Sequence, residues 1–245
     1  MIDMHSHILP GIDDGARDLD EALALLRLAE ADGVTTQVLT PHIHPVRYDN
    51  TLASIRLACE RLAQAAGQAG LTIRLEFAAE IRIGSEIMAL VTADQIPWLG
   101  VWEGRKVLLL EFPYTGIPVG SLNLVAWLRQ RDIVPMLAHP ERIFPIQDDF
   151  EKLRPFLAAG CLAQITAGSL LGDFGPAALR VALRLLEGGQ VGLIASDCHN
   201  LTYRPPKLGA GVEAAARVIG EQAARELVTT VPRRMRAALG AAGRA

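Results

Sequence analysis

The histidines of this sequence are confined to a few positions, each just after a short apolar run. They are His5, His7, His42, His44, His139 and His199. Imidazole is among the commonest metal ligands in proteins. Six separate core or surface histidines would rarely all fall after apolar runs, so we interpret the group as a candidate metal site.

Acidic residues stand in the same kind of position. Glu80 closes the run LEFAAE, Glu111 lies in VLLLEF, and Asp197 closes GLIASD. A carboxylate beside a buried strand is costly unless a cation or a metal compensates it. One such residue could be a solvated loop residue, but three indicate positive charge at a common place.

The spacing of these residues along the chain allows their side chains to point to one common site. In His5-x-His7 and Asp197-x-His199, alternate strand residues point to the same side, so each pair can contact one ion. Asp14 follows the first run in Asp13-Asp14-Gly15, where we expect the glycine to permit a sharp turn that brings Asp14 inward.

Imidazole and carboxylate without a clear thiolate favour manganese, iron or zinc over magnesium. The candidate ligands exceed the about four to six that one ion needs, so we expect two or three ions. Such sites hydrolyse phosphoesters with a metal-activated water. The nine candidates are His5, His7, Asp14, His42, Glu80, Glu111, His139, Asp197 and His199.

Two arginines follow candidate ligands in predicted loops. Arg142 lies in HPER and Arg204 in DCHNLTYR. A guanidinium fork matches phosphate oxygens and stabilises charge in a transition state. The alternative, an exposed loop arginine, stays open for each.

Apolar runs alternate with amphipathic stretches along the chain, which is typical of βαβ units with a parallel sheet. The predicted strands are Ile2–Ile8, Thr35–Pro41, Thr72–Ala79, Lys106–Phe112, Ile133–Ala138, Leu162–Ala167 and Val191–Ser196. The predicted helices are Leu19–Ala31, Thr51–Ala69, Leu122–Arg131, Phe150–Ala159 and Ala177–Glu187. Because candidate ligands follow nearly every strand, we favour a closed barrel over an open sheet with one switch point.

Length and composition narrow the class of protein. The 245 residues fit a single α/β barrel domain over 1–245, with a last helix that frays over 233–245. A net charge of −3 is too close to neutral for a nucleic-acid binder. The three cysteines form no disulfide framework. Without a signal peptide or a membrane-spanning run, we expect a cytoplasmic protein.

Several segments together resemble the polymerase-and-histidinol-phosphatase (PHP) superfamily, and in particular its bacterial protein-tyrosine phosphatases of capsule and exopolysaccharide synthesis, the CpsB/CapC type. The similarity extends from Met1 to about Lys207. The segments are MIDMHSHILPGIDDGARD, TPHIHP, AAEIRI, LLLEFPY, AHPERI and IASDCHN. The resemblance implies a distorted seven-stranded (β/α) barrel with a trinuclear, usually manganese, centre at the C-terminal ends of the strands.

The resemblance also implies an allocation of residues. One ion would take His5, His7, Glu80 and Asp197; a second, Glu80, Glu111 and His139; the third, Asp14, His42 and His199. Arg142 and Arg204 would contact phosphate, and His44 would assist proton transfer or line the mouth. The implied substrate is a phosphotyrosine-bearing protein, the tail of a tyrosine autokinase that controls polysaccharide export.

Other functions stay open at this point. A small-molecule phosphatase such as a histidinol phosphatase would share the metals, and a non-catalytic PHP module or an amidohydrolase would share the barrel. Cys198 and Arg204 also match the Cys-x5-Arg spacing of thiolate tyrosine phosphatases. That loop has no glycine for a phosphate cradle, and we expect Cys198 to point away from the ions.

Overall fold

Strands and helices alternate through residues 1–242, the part of the chain that the computed structural model describes. The strands are β1 Ile2–Asp3, β2 Thr36–Leu39, β3 His42–Ile43, β4 Arg74–Phe77, β5 Glu80–Arg82, β6 Gly100–Trp102, β7 Arg105–Glu111, β8 Ile133–Ala138, β9 Leu162–Thr166 and β10 Leu193–Ala195. The helices are α1 Leu19–Ala31, α2 Leu52–Gln68, α3 Glu86–Thr92, α4 Ser121–Arg129, α5 Phe144–Asp148, α6 Arg154–Ala158, α7 Ala167–Leu170, α8 Gly175–Glu187, α9 Leu208–Ile219, α10 Glu221–Glu226 and α11 Thr230–Ala242.

The strands form a closed barrel, as the sequence predicts. Strands β1, β2 and β4 pair in parallel, and so do β10, β9, β8, β7, β5 and β3 in that order. A short gap separates β2 from β3 and β4 from β5, so each pair is one interrupted barrel strand. A parallel bridge between Ser6 and Cys198 joins the first strand to the last.

The first predicted strand, Ile2–Ile8, is wrong in extent, because only Ile2–Asp3 pairs regularly. Beyond it the backbone pairs only irregularly, with Thr40, Asp197 and Cys198, and side chains accept from two of its amides. The amide of His5 donates to Oδ1 of Asp3 at 3.4 Å, and the amide of Ser6 donates to Oγ1 of Thr40 at 3.0 Å. The backbone thus leaves the regular ladder just where His5 and His7 begin.

The sequence missed other features. Thr40 and Pro41 separate β2 from β3, and a proline has no N–H for the ladder. Strand β6 pairs antiparallel with β7 in a hairpin that the sequence did not predict. The predicted helix Phe150–Ala159 is a 3₁₀ turn followed by α6, with Pro155 in its first turn. Seven further elements were also missed: α3, α5, α7, α9, α10, β3 and β5.

The last helix is present as α11, and it packs against the barrel. Met235 is fully buried, and a Cβ on Gly100 of β6 would lie 2.9 Å from the Met235 side chain. Residues 243–245 of the tail for which fraying was expected lie outside the described residues. Within residues 1–242, no helix is long and apolar enough to cross a membrane.

Two apolar clusters fill the fold. The larger one lies between the barrel and its helices and takes Leu108 and Leu110 from β7. The smaller one, which we call the inner cluster, takes the alternate residues Val107 and Leu109 and so fills the barrel. The inner cluster consists of Met4, Val38, Ala78, Leu99, Val107, Leu109, Val134, Met136, Ala138, Leu193, Ala195 and Met235.

Candidate metal centre

The alternation that builds the inner cluster also places the polar residues. Glu80 stands two residues after Ala78, Glu111 two after Leu109, and Asp197 two after Ala195. Residues two apart on a strand share a face, so these carboxylates lie above the inner cluster at the C-terminal end of the barrel. All three are almost fully buried.

Two of the candidate ligands have a left-handed backbone. The φ angle is +33° at His139, directly after β8, and +51° at Asp197, shortly after β10. This region is costly for a residue with a Cβ and is found most often at functional sites. The barrel strands therefore end in turns that hold these two side chains at the mouth.

Glu80 lies at the middle of the cluster. Its Oε2 is 3.3 Å from Nε2 of His7 and 3.1 Å from Nδ1 of His42, and its Oε1 is 2.9 Å from Nε2 of His139. Nε2 of His5 lies 3.4 Å from Glu80 and 3.4 Å from Oδ1 of Asp197. Imidazoles from three other barrel strands thus meet around one carboxylate.

A second group surrounds Asp14, on the loop after the first strand. Oδ1 of Asp14 is 3.3 Å from Nε2 of His42 and 3.7 Å from Nε2 of His199. The Asp14 side chain is 41% exposed, which places this group at the solvent side of the mouth.

The structure brings all nine candidate ligands together, but the close groups differ from the expected allocation. His5, His7 and Glu80 form one group. His7 also joins Asp14, His42 and His199, and His42 rather than His139 groups with Glu80 and Glu111. Because Nδ1 of His42 faces the two glutamates while Nε2 faces Asp14, this ring bridges two groups.

Buried carboxylate oxygens in the cluster have imidazole or guanidinium nitrogens nearby but no well-aligned hydrogen bond. Among the described residues, Oε2 of Glu80, Oε2 of Glu111 and Oδ1 of Asp197 have no hydrogen-bond partner. Such orphaned acceptors are costly in a protein interior unless a cation compensates them. Together with imidazole nitrogens within 4.8 Å, they are the donor set that Mn²⁺, Fe²⁺ or Zn²⁺ accepts.

The buried charges of the cluster shift its pKa values in both directions, upward for His7 and His42 and downward for His139. Burial and the neighbouring charge of Glu80 raise the pKa of Glu111 to about 7. Burial also disfavours the charged form of Glu80, but the imidazoles of His5, His42 and His139 outweigh this effect and hold the pKa of Glu80 well below its usual range. Burial lowers the pKa of His139 to about 4, with help from Arg142. A neutral imidazole beside carboxylates is the form that binds a metal.

Two residues that the sequence reasoning missed orient the first histidines. Oε1 of Gln164, on β9, lies 2.8 Å from Nδ1 of His5, and Oδ2 of Asp13 lies 2.8 Å from Nδ1 of His7. An acceptor at Nδ1 fixes the proton there and leaves Nε2 free for a metal. Asp13 carried a signal in the sequence, as the neighbour of Asp14, whereas Gln164 carried none.

Gly15 is required for a reason other than the expected turn. Its φ is not in the left-handed region, but a Cβ at this position would lie 1.9 Å from the carbonyl oxygen of His7. The amide of Ala16 donates to that same oxygen at 3.0 Å. The glycine therefore permits the loop carrying Asp13 and Asp14 to fold directly against the first strand.

Both predicted arginines reach the cluster. Nη1 of Arg142 and Nη2 of Arg204 each donate to Oδ2 of Asp197, which leaves Oδ1 facing the histidines. Nη2 of Arg142 also donates to the hydroxyl of Tyr114 at 2.9 Å, and its guanidinium lies 4.1 Å from the ring centre of Phe174. Arg142 is thus held rigidly, while Arg204 is the more exposed of the two.

Two further arginines line the cleft and were missed by the sequence reasoning. Nε of Arg82 lies 3.2 Å from Oε2 of Glu111, and Arg47 lies 5.1 Å from the ring centre of Tyr48, which stacks on His42. Arg82 stands two residues after Glu80 in AAEIRI, and its spacing from a ligand was the available signal. Four guanidinium groups consequently surround the mouth.

His44 does not join the other predicted site residues. Its Nδ1 lies 2.9 Å from the carbonyl oxygen of Pro45, and its backbone pairs with Tyr48 to close a tight turn. Among the described residues, the cleft lining includes His42 but not His44. This position gives no support to a role in proton transfer.

The position of Cys198 contradicts a thiolate mechanism. The side chain is fully buried in the larger apolar cluster, away from the mouth, as the D-x-H spacing predicts. Burial raises the pKa of this thiol, with a further contribution from Asp3. A nucleophilic cysteine needs the opposite shift and an accessible sulfur.

Sequence comparisons relate the chain to proteins of capsule synthesis. The family model "Capsular polysaccharide synthesis, CpsB/CapC" matches residues 1–236. The chain is 36% identical to a putative tyrosine-protein phosphatase CapC of Staphylococcus aureus, over 84% of this chain and 79% of the relative. It is 34% identical to the tyrosine-protein phosphatase YwqE of Bacillus subtilis, over 83% and 79% of the two chains.

Structural comparison gives the same relationship. One solved structure comes from work on YwqE of Bacillus subtilis and CpsB of Streptococcus pneumoniae, described as unique metal-dependent tyrosine phosphatases. It superposes with a TM-score of 0.88 at 30% identity and covers 96% of this chain and 95% of the other. An organophosphorus hydrolase superposes with a TM-score of 0.55 at 15% identity over 94% of this chain and 91% of the other, which shows the barrel fold alone.

Proposed function

The chain belongs to the CpsB/CapC family, and from this membership and the geometry of the cluster we propose that it is a metal-dependent protein-tyrosine phosphatase. The observation that carries the proposal is the set of unpartnered buried oxygens of Glu80, Glu111 and Asp197 beside Arg142 and Arg204. Carboxylates arranged around a cation, with guanidinium groups beside them, suit a phosphoester dianion.

Each part of the cleft has a place in this reaction. Bound divalent cations supply water activation and neutralise phosphoryl charge. Arg204, partly exposed at the mouth, offers its guanidinium to the incoming phosphate, and Arg142 adds fixed positive charge that needs no reorganisation. Gln164 and Asp13 hold the rings of His5 and His7 in the orientation that ligation requires.

The nine residues named from the sequence are the proposed metal ligands, and manganese is the proposed metal. The support for manganese is the mixture of imidazoles with four carboxylates, Asp14, Glu80, Glu111 and Asp197, which is more oxygen-rich than zinc usually takes. The number of close ligand groups supports two or three ions.

The proposed substrate is the phosphorylated tail of a tyrosine autokinase that regulates capsule or exopolysaccharide synthesis. The family description and the relatives' names support a phosphotyrosine protein connected with capsule synthesis. We place the reaction in the cytoplasm, since three buried, unpaired cysteines are typical of a reducing compartment.

The test compares hydrolysis of a phosphotyrosine peptide, a phosphoserine peptide and histidinol phosphate by protein that has been stripped with a chelator and reloaded with Mn²⁺, Fe²⁺ or Zn²⁺. We expect no turnover before reloading, preferred turnover of phosphotyrosine after it, and metal content of two or three ions per chain. Preferred hydrolysis of histidinol phosphate, or activity that survives chelation but is lost in Cys198→Ser, contradicts the proposal.

A further inference from the structure

An apolar cavity of about 390 Å³ lies on the same end of the barrel as the ligand cleft. One wall comes from the segment that follows β5, and the other from the loop between β7 and α4 together with α4 itself. The residues that matter here are Ile83, Met88, Pro118, Val119, Leu124 and Trp127.

The cavity and the cleft share their supporting strands. Arg82 lines the cleft and the next residue, Ile83, lines the cavity. The amide of Ile83 donates to the carbonyl oxygen of Glu111 at 2.9 Å. On the other wall, Tyr114 lines the cleft and Pro118, four residues further along the loop, lines the cavity. The cavity and the cleft are therefore neighbours along both segments, with Ile83 on the face of the chain opposite Arg82.

The cleft is too small for more than the reacting group. Its volume of about 50 Å³ is far below the volume of about 390 Å³ of the apolar cavity. A cleft of this size does not hold the residues on either side of a phosphotyrosine. The remainder of a protein substrate has to lie across the rim.

Apolar side chains are exposed on that rim. Val119 is fully exposed and Met88 is 39% exposed, both at the cavity. Phe144 and Tyr203, on the segments that follow β8 and β10, are 53% and 87% exposed. Exposed apolar side chains at a cavity, as Val119 and Met88 are, mark a surface that binds another molecule.

Building on the proposed function, we infer that this cavity binds an apolar side chain of the substrate polypeptide, within three residues of the phosphotyrosine. The guanidinium groups of the cleft anchor the phosphate, and the cavity next to Arg82 then receives the neighbouring side chain. We expect the peptide to bind in an extended conformation. A strand-like chain advances about 3.3 Å per residue, so a side chain a few residues from the phosphotyrosine reaches an adjoining cavity. This site makes the enzyme selective for apolar sequence around phosphotyrosine.

The first experiment scans phosphotyrosine peptides that carry one leucine at each position from three before to three after the modified residue, against an all-serine flank. We expect kcat/KM of the manganese-loaded enzyme to rise about tenfold for leucine at one or two positions, because part of its side chain leaves water. A flat scan overturns the inference and leaves the phosphatase proposal intact.

The second experiment assigns the effect to the cavity. In the Val119→Ser/Met88→Ser variant, the ratio of kcat/KM for the best leucine peptide to that for the serine peptide is expected to fall to about one. A general loss of activity or of folded protein affects both peptides equally, so it does not change this ratio. The control is Leu28→Ser, which removes a similarly exposed apolar side chain (44%) from the outer face of α1. An unchanged ratio in the double variant overturns the inference.

A binding measurement separates failure of this inference from failure of the proposed function. Trp127 lines the cavity, so the leucine peptide with a non-hydrolysable phosphonate in place of phosphate is expected to change its emission, and Trp127→Phe is expected to remove the change. Such binding, combined with no turnover of the corresponding phosphotyrosine peptide, supports the cavity and contradicts the phosphatase. A wild-type dimer that the double variant converts to monomer shows a second copy in the cavity and overturns the inference.

Discussion

Oε1 of Gln164 lies 2.8 Å from Nδ1 of His5 inside the barrel, between two residues 159 positions apart in the chain. An amide oxygen only accepts, so Nδ1 carries the proton and Nε2 faces Glu80 and Asp197. The same oxygen accepts from the amide of His139 at 3.3 Å. One buried side chain thereby orients two proposed ligands on different strands.

Gln164→Leu is expected to lower manganese affinity and activity by about 10- to 100-fold while the fold is retained, because the acceptor is lost and the volume is similar. Gln164→Glu, which keeps an acceptor, is expected to recover most of the affinity. Competition with a chromophoric chelator measures the affinity directly. The matched control is Gln37→Leu, since Gln37 is equally buried but bonds to none of the proposed ligands. Equal losses in both variants would assign Gln164 a packing role only.

Gly15→Ala is expected to destabilise the protein and weaken metal binding, because the added Cβ overlaps the carbonyl oxygen of His7. Overpacking of this kind costs about 1–3 kcal/mol or more. Gly67→Ala, in the exposed part of α2 with no atom within 4 Å of the added Cβ, is expected to stabilise by about 0.5–1 kcal/mol. Urea unfolding of both variants checks the opposite signs. An unchanged or stabilised Gly15→Ala variant would show that the approach at Gly15 is not tight.

The sequence predicted which polar side chains meet at the mouth of the barrel, but it did not predict the residues that support them. Glu111 and Asp197 interrupt apolar runs, so their burial was visible as an energetic conflict that a cation resolves. Gln164 lies inside the apolar strand LAQIT and gives no such signal, because its role depends on a contact with a distant strand. The interrupted first strand was hidden for the same reason, since the side chain of Thr40 replaces a backbone partner there.

Arg142→Ala and Arg204→Ala are expected to differ. Arg142 is buried between Tyr114, Phe174 and Asp197, so its removal leaves part of a buried charge uncompensated and is expected to cost about 3 kcal/mol of stability. Arg204 is partly exposed, so its removal is expected to raise KM and retain most of the stability and the bound metal. Urea unfolding, metal analysis and steady-state kinetics separate the two outcomes. Loss of metal in Arg204→Ala would make that residue structural.

Two buried thiols, those of Cys59 and Cys161, are expected to make the folded protein less stable at alkaline pH. Burial raises the pKa of Cys59 to about 11 and that of Cys161 to about 12, above the value of 9.0 for an exposed thiol. The folded state holds these protons more tightly, so the stabilisation is complete below pH 9 and falls as pH rises toward the folded values. Each thiol contributes a slope of up to about 1.4 kcal/mol per pH unit. Unfolding free energies from pH 8 to 10.5 should fall less steeply in Cys59→Ala/Cys161→Ala, and identical slopes would contradict the assignment.

Glu80→Gln and His44→Ala test whether position in the cluster decides function. Glu80 contacts four imidazoles, so an amide there removes the central charge and is expected to reduce the metal content. Loss of a residue that only hydrogen-bonds to a ligand lowers activity by roughly 10–100-fold, and Glu80→Gln is expected to lower it by more. His44 lies in a turn outside the cleft lining, so His44→Ala is expected to keep activity within about twofold of wild type. Metal analysis and phosphotyrosine turnover measure both. Equal, mild effects from the two substitutions would remove Glu80 from the centre of the proposed site.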